Sequence, residues 1–117
     1  MELSKIEKDL ISIIKLTKLQ AKLFLMIVIE GKMTSQKICN KLGISSDEAS
    51  AIGKQLIELG GLIEITENEY EAMHPRFTAV NMYRKMCEKE KIEFKRNVAV
   101  DNIGVVLERP YDDARTK

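Results

Sequence analysis

The sequence predicts a mainly helical fold with one small β-hairpin, and three observations carry that prediction. Apolar residues recur at three- and four-residue spacing along most of the chain. Aromatics make up only 5% of the 117 residues and Trp is absent, which suits packed helices better than a broad sheet. After Gly60 and Gly61, the run "LIEIT", a polar turn "ENE" and then "YEAM" have the pattern of two short strands.

Each element follows from a local signal. Leu3, Ile6, Leu10, Ile13 and Ile14 lie on one helix face, so residues 4–15 are expected to form an amphipathic helix. In "TKLQ", Thr17 can cap a second helix while Gln20 reaches back to it; that helix should span residues 18–30 and close at Gly31. Its middle, "LFLMIVI", is apolar on every face, which marks a helix surrounded by other elements. Thr34 caps a shorter helix, "SQKICNKL", with Ile38 and Leu42 facing inward, and Gly43 ends it. Ser45 starts the next helix, Glu48 is placed to complete a second capping box, and the two glycines stop it after Leu59. Beyond the hairpin, Ala79 or Val80, Tyr83, Met86 and Cys87 repeat at helical intervals and predict a helix over 78–91. Val100, Ile103 and Leu107 fit a last helix over 97–108, while Val98, Val100 and the "DN" pair also fit a hairpin; the helix is preferred. Pro110 should end it and leave the last seven residues mobile.

Three helices followed by a hairpin is the order of a winged helix-turn-helix. The chain divides on this reading into a winged helix-turn-helix domain over 1–76, with an extra N-terminal helix, and a helical extension over 77–117 that serves dimerisation. "LTKLQAKLFL" resembles the opening of the archaeal TrmB-type transcriptional regulators. "MTSQKICNKLGIS" and "LIELGGLIEI" are similar to the helix-turn-helix core and wing entry of that family, and of winged helices generally, and the match covers residues 16–73. The resemblance implies a DNA-binding repressor or activator that dimerises through helices flanking the wing. The terminal helices independently carry more apolar face than one small core needs, which points to a homodimer.

Several function classes are disfavoured. The longest apolar run, Leu23 to Ile29, is far short of the roughly 20 residues a membrane span needs. The N-terminus "MELSKIEKDL" reads as structure and not as a signal peptide, so a soluble cytoplasmic protein is expected. Cys39 and Cys87 lie far apart in helical segments, and the chain has one His, so neither a metal site nor a redox motif is supported. No carboxylate pair, glycine-rich phosphate loop or Ser/His/Asp order fits an active site, so catalysis and a cofactor are not expected.

The near-neutral total of +1 hides an acidic middle: residues 1–41 carry +4, residues 42–73 carry −6 and residues 74–117 carry +3. Duplex DNA is held chiefly by cations on phosphates, so contacts must come from outside most of that middle. The candidates are Ser35, Gln36, Lys37 and Lys41 around the helix that would cross the backbone, with Ser46, Ser50 and Lys54 on the reading helix. Asp47 and Glu48 suit the positive end of a helix dipole, although Asp47 could also accept from cytosine N4. The alternative is a protein-contact module of the transcription machinery that docks a basic partner on its acidic helix and wing.

Overall fold

Thr17 begins the element around which the protein is built. Its hydroxyl accepts from the Gln20 N–H at 3.1 Å, and the Gln20 side chain accepts from the Thr17 N–H at 3.0 Å, which completes the expected capping box. The helix it starts, α2 (Lys18–Glu30), buries Ala21, Leu23, Phe24, Leu25, Ile27 and Val28, residues that point in several directions around the axis. The computed structural model describes residues 3–116. Around α2 it places α1 (Leu3–Ser12), α4 (Ser46–Glu58), α6 (Val98–Arg115) and strand β3 (Glu69–Ala72). The other elements are β1 (Met33–Thr34), α3 (Ser35–Leu42), β2 (Leu62–Thr66) and α5 (Pro75–Glu90). The protein is therefore mainly helical with a small antiparallel sheet, and no helix among the described residues is long and apolar enough to cross a membrane.

The sheet has three strands in the order β1-β3-β2, where the sequence pointed to a two-stranded hairpin. Met33 pairs with Tyr70 and Thr34 with Glu69. A strand of two residues is too short to show an alternation, and only its distant partner defines it. Thr34 also caps α3, where its hydroxyl accepts from the Lys37 N–H at 3.1 Å.

Other boundaries moved for local reasons. Helix α1 ends at Ser12 and not at residue 15, because Lys15 takes a left-handed φ of 69° while Ile14 and Leu16 turn into the core. Helix α5 begins at Pro75 and not at residue 78; proline has no N–H to satisfy at a first helical position, and His74 Nδ1 accepts from the Arg76 N–H at 3.2 Å. At α4 the Ser45 hydroxyl accepts from the Glu48 N–H at 3.1 Å, but the return bond of the expected box is not formed among the described residues.

The largest correction concerns the C-terminus. Asn97 Oδ1 accepts from the N–H groups of Ala99 and Val100, so the segment starts as a helix and the hairpin option is not taken. That helix passes through Pro110 and continues to Arg115, where a stop and a mobile tail were expected; Lys117 lies outside the described residues. An interior proline costs about 3 kcal/mol, so something must offset it. The Arg115 guanidinium donates to Val28 O at 2.8 Å, Ile27 O at 3.1 Å and Tyr111 O at 3.0 Å, pairs with Glu71, and lies 3.8 Å from the centre of the Tyr111 ring. Hydrogen bonds from a charged donor contribute about 1.5–3 kcal/mol each, so a few of them outweigh the proline.

Val100, Ile103 and Leu107 of α6 share one core with Ile6, Leu10, Phe24 and Tyr70, so the segment after residue 76 packs directly onto the segment before it. Close approach needs glycine twice. A Cβ on Gly104 would lie 2.6 Å from Arg76 Cα, and one on Gly53 would lie 2.8 Å from the Tyr70 ring.

Two stability changes follow. Gly104→Ala should destabilise by about 1–3 kcal/mol in urea unfolding, because a backbone atom cannot swing aside and overpacking exceeds the roughly 1 kcal/mol gained in helix propensity. A neutral or stabilising result would show that α5 and α6 are not in this contact. Arg115→Met should cost more than about 3 kcal/mol by the same measurement, since it removes the bonds that offset Pro110 and leaves Glu71 without its partner, and more than the truncation of residues 116–117.

Candidate nucleic-acid interface

The α3–α4 pair is held from below by apolar residues and presents a polar upper surface. Ile38 and Cys39 of α3, and Ala49, Ile52, Gly53 and Leu56 of α4, point into the core. Gly43 has a left-handed φ of 68°, and its N–H donates to Cys39 O at 2.9 Å, so the chain reverses in the short turn before Ser45. On the outer side, Gln36, Lys37, Asn40 and Lys41 of α3 and Ser46, Asp47, Glu48, Ala51, Lys54, Gln55 and Glu58 of α4 are exposed.

The seven residues proposed from sequence all lie on these two helices, but their surroundings differ. Lys41 Nζ is 2.8 Å from Glu30, and Gln36 donates to Asn40 Oδ1 at 3.2 Å, so both already have partners. Ser35 is half-buried at the helix start, and Ser46 is exposed in the first turn of α4. Ser50 is half-buried, with its hydroxyl beside that of Tyr70. Lys37 and Lys54 are exposed and form no ion pair among the described residues. Gln55, which the sequence did not single out, accepts from Gln20 Nε2 at 2.9 Å and ties the far end of α4 to α2.

The acids of the middle segment are unequal as well. Glu64 accepts from the Asn68 N–H at 3.0 Å, Glu69 accepts from the Thr66 hydroxyl at 3.2 Å, and Glu71 pairs with Arg115. These three serve the hairpin and its attachment. Asp47, Glu48, Glu58 and Glu67 are the acids left exposed without a side-chain partner among the described residues. The negative potential that opposes DNA is therefore concentrated on the start and end of α4 and at the hairpin tip.

Tyr70 supports the surface from beneath. It is fully buried against α4 at Gly53, and its hydroxyl has no partner at hydrogen-bonding geometry. Burial raises its pKa above the usual 10.0; the neighbouring Ser50 hydroxyl lowers it in part, without reaching bonding geometry, and Glu64 raises it further.

A second polar cluster joins α5 to α6. His74, Glu108 and Asp112 bring one potential ligand atom each to within 4.8 Å of one another. His74 Nδ1 accepts from the Arg76 N–H, so in the neutral ring the proton sits on Nε2, 3.4 Å from Glu108, and that nitrogen is the one a metal would need. A metal-bound His normally donates from its other nitrogen, and here Arg76 already holds Glu108 at 3.0 Å. The residues fit an ion-pair cluster better than a metal site. A cleft of about 230 Å³ lies at the other end of α6, between Val80, Tyr83, Phe94 and Val100.

Comparison with known proteins finds no matching family model, no matching curated protein and no matching solved structure.

Tyr70→Phe removes a buried hydroxyl that lacks a partner and should raise stability at neutral pH by about 1 kcal/mol. The unfolded side chain ionises near 10.0 and the folded one higher, so the neutral form is favoured in the fold. Below the unfolded pKa this term is constant, and above it stability is lost as pH rises toward the folded value. Urea titrations across the alkaline range should show a smaller loss for Tyr70→Phe than for wild type. A variant less stable at pH 7 would mean the hydroxyl has a partner after all.

Proposed function

We propose that this protein is a DNA-binding transcription regulator of the winged helix-turn-helix class, acting as a homodimer in the cytoplasm. The observation that carries the reading is the succession α2, β1, α3, α4, β2, β3 with the strands ordered β1-β3-β2: a helix pair joined by a tight turn, followed by a hairpin, is the order that a winged helix-turn-helix requires. The resemblance of residues 16–73 to TrmB-like regulators supports it from the sequence side.

In this reading α4 enters the major groove. Ser46 and Ala51 are small, so the helix can come close to the bases; Ser46 offers a hydroxyl, and Asp47 can accept from cytosine N4. Helix α3 crosses the backbone and Lys37 takes a phosphate, with Lys54 supplying a second cation. Lys41 joins them only by leaving Glu30, so its contribution is discounted. The exposed apolar residues Phe77, Val98 and Val105 on α5 and α6 supply a dimer face, and paired half-sites about one helical turn apart follow from a twofold.

Fluorescence anisotropy on the chain's own promoter fragment, over a salt series, tests the reading. Lys37→Glu/Lys54→Glu should weaken binding at least tenfold and reduce the slope of log K against log salt by about 1.8, since each phosphate contact contributes about 0.9. An affinity that stays in the non-specific range of ~10⁻⁴ to 10⁻⁶ M and is indifferent to the double substitution would end this proposal.

A further inference from the structure

The hairpin differs from a DNA-tracking wing in what it shows to solvent. Strand β2 is at the edge of the sheet, with β3 on one side and no strand among the described residues on the other. Alternate N–H and C=O groups of such a strand point away from its only partner. Ile63 and Ile65 are 43% and 46% exposed, so apolar side chains alternate along that edge with Glu64 between them. Natural edges are commonly blunted by Lys, Pro or a bulge; β2 holds no Lys or Pro, and its one irregularity is the register shift between Glu64 and Thr66.

Charge decides what can pair there. Glu64 lies on the edge strand and Glu67 at the hairpin tip, and between residues 42 and 73 the sole base is Lys54. A second copy of the same edge would bring these carboxylates against their own kind, which opposes edge-to-edge self-pairing. A duplex backbone is repelled for the same reason. An extended chain with basic residues at alternate positions meets complementary charge, while its intervening apolar residues meet Ile63 and Ile65.

We propose that β2 is a docking edge for a basic, extended segment of a partner protein, which adds as a fourth strand beside Ile63 and Ile65 under the attraction of Glu64 and Glu67. This goes beyond DNA recognition, because the edge uses none of the residues assigned to DNA on α3 and α4. A regulator so built has one surface for a promoter and another for a protein with a lysine-rich alternating segment.

The probe is the synthetic peptide Lys-Val-Lys-Ile-Lys-Val-Lys, and its control is the equally charged Lys-Gly-Lys-Gly-Lys-Gly-Lys. The full chain, labelled with nitrogen-15, should show amide shifts concentrated at residues 62–66 on addition of the first, and at least tenfold weaker binding of the second. Ile65→Lys should weaken binding about tenfold and Glu67→Lys severalfold, and neither side chain is needed for the core. Lys37→Glu/Lys54→Glu should bind the peptide as wild type does, which separates this proposal from the DNA reading. Equal affinity for both peptides, shifts centred elsewhere, or concentration-dependent self-association abolished by Ile65→Lys would each overturn it.

Discussion

The burial of α2 is the constraint on which the rest depends. A helix with Leu23, Phe24, Leu25, Ile27 and Val28 inside needs cover on several sides, and α1, α4, α6 and β3 provide it. Each such side chain contributes about 1.5–3 kcal/mol on burial, so the five together are worth on the order of 10 kcal/mol, comparable with the net stability of a whole domain. No neighbour of α2 can leave without exposing part of that sum. The inner stripe of α6, Val100, Ile103 and Leu107, is therefore committed to the core, and its outer residues Val98 and Val105 are what it has to offer another molecule.

Arg115 turns that packing into a tie between distant parts of the chain. The last carbonyls of a helix lack intrahelical donors; near the end of α2 this guanidinium donates to Val28 O, and to Ile27 O alongside the Gly31 N–H. The same group pairs with Glu71 on β3 and stacks over Tyr111 one turn back on its own helix. One cation thus joins the central helix, the sheet and the C-terminus. It also changes the meaning of the negative middle segment, since Glu71 is matched internally while Glu64 and Glu69 shape the hairpin turn.

The exposed surface that results has two unlike halves. Helices α3 and α4 carry Lys37 and Lys54, which form no ion pair among the described residues, together with the exposed acids Asp47, Glu48 and Glu58, whereas the hairpin carries exposed isoleucines and Glu67 with no lysine or arginine. Cations and acids are mixed on the first, while the second offers acid alone. Tyr70 lies between the two halves, where its ring meets Gly53 of α4 from its place on β3. The orientation of α4 and that of the hairpin are therefore coupled through one buried ring.

The capping box at Thr17, the apolar circumference of α2, the Thr34 and Ser45 caps and the left-handed Gly43 were legible in the sequence, because each rests on residues within a turn of one another. So were the seven candidate residues as members of two adjacent helices. Their availability was not legible: that Lys41 is held by Glu30, Gln36 by Asn40, and Ser50 is drawn in beside Tyr70 depends on side-chain positions that spacing does not specify. Strand β1 needs β3 to exist at all. The continuation of α6 through Pro110 needs Arg115 to find two carbonyls of α2 and a carboxylate of β3, all far away along the chain. Short-range hydrogen bonding and periodicity are written in neighbouring residues; pairing across the fold is decided only when packing brings its partners together.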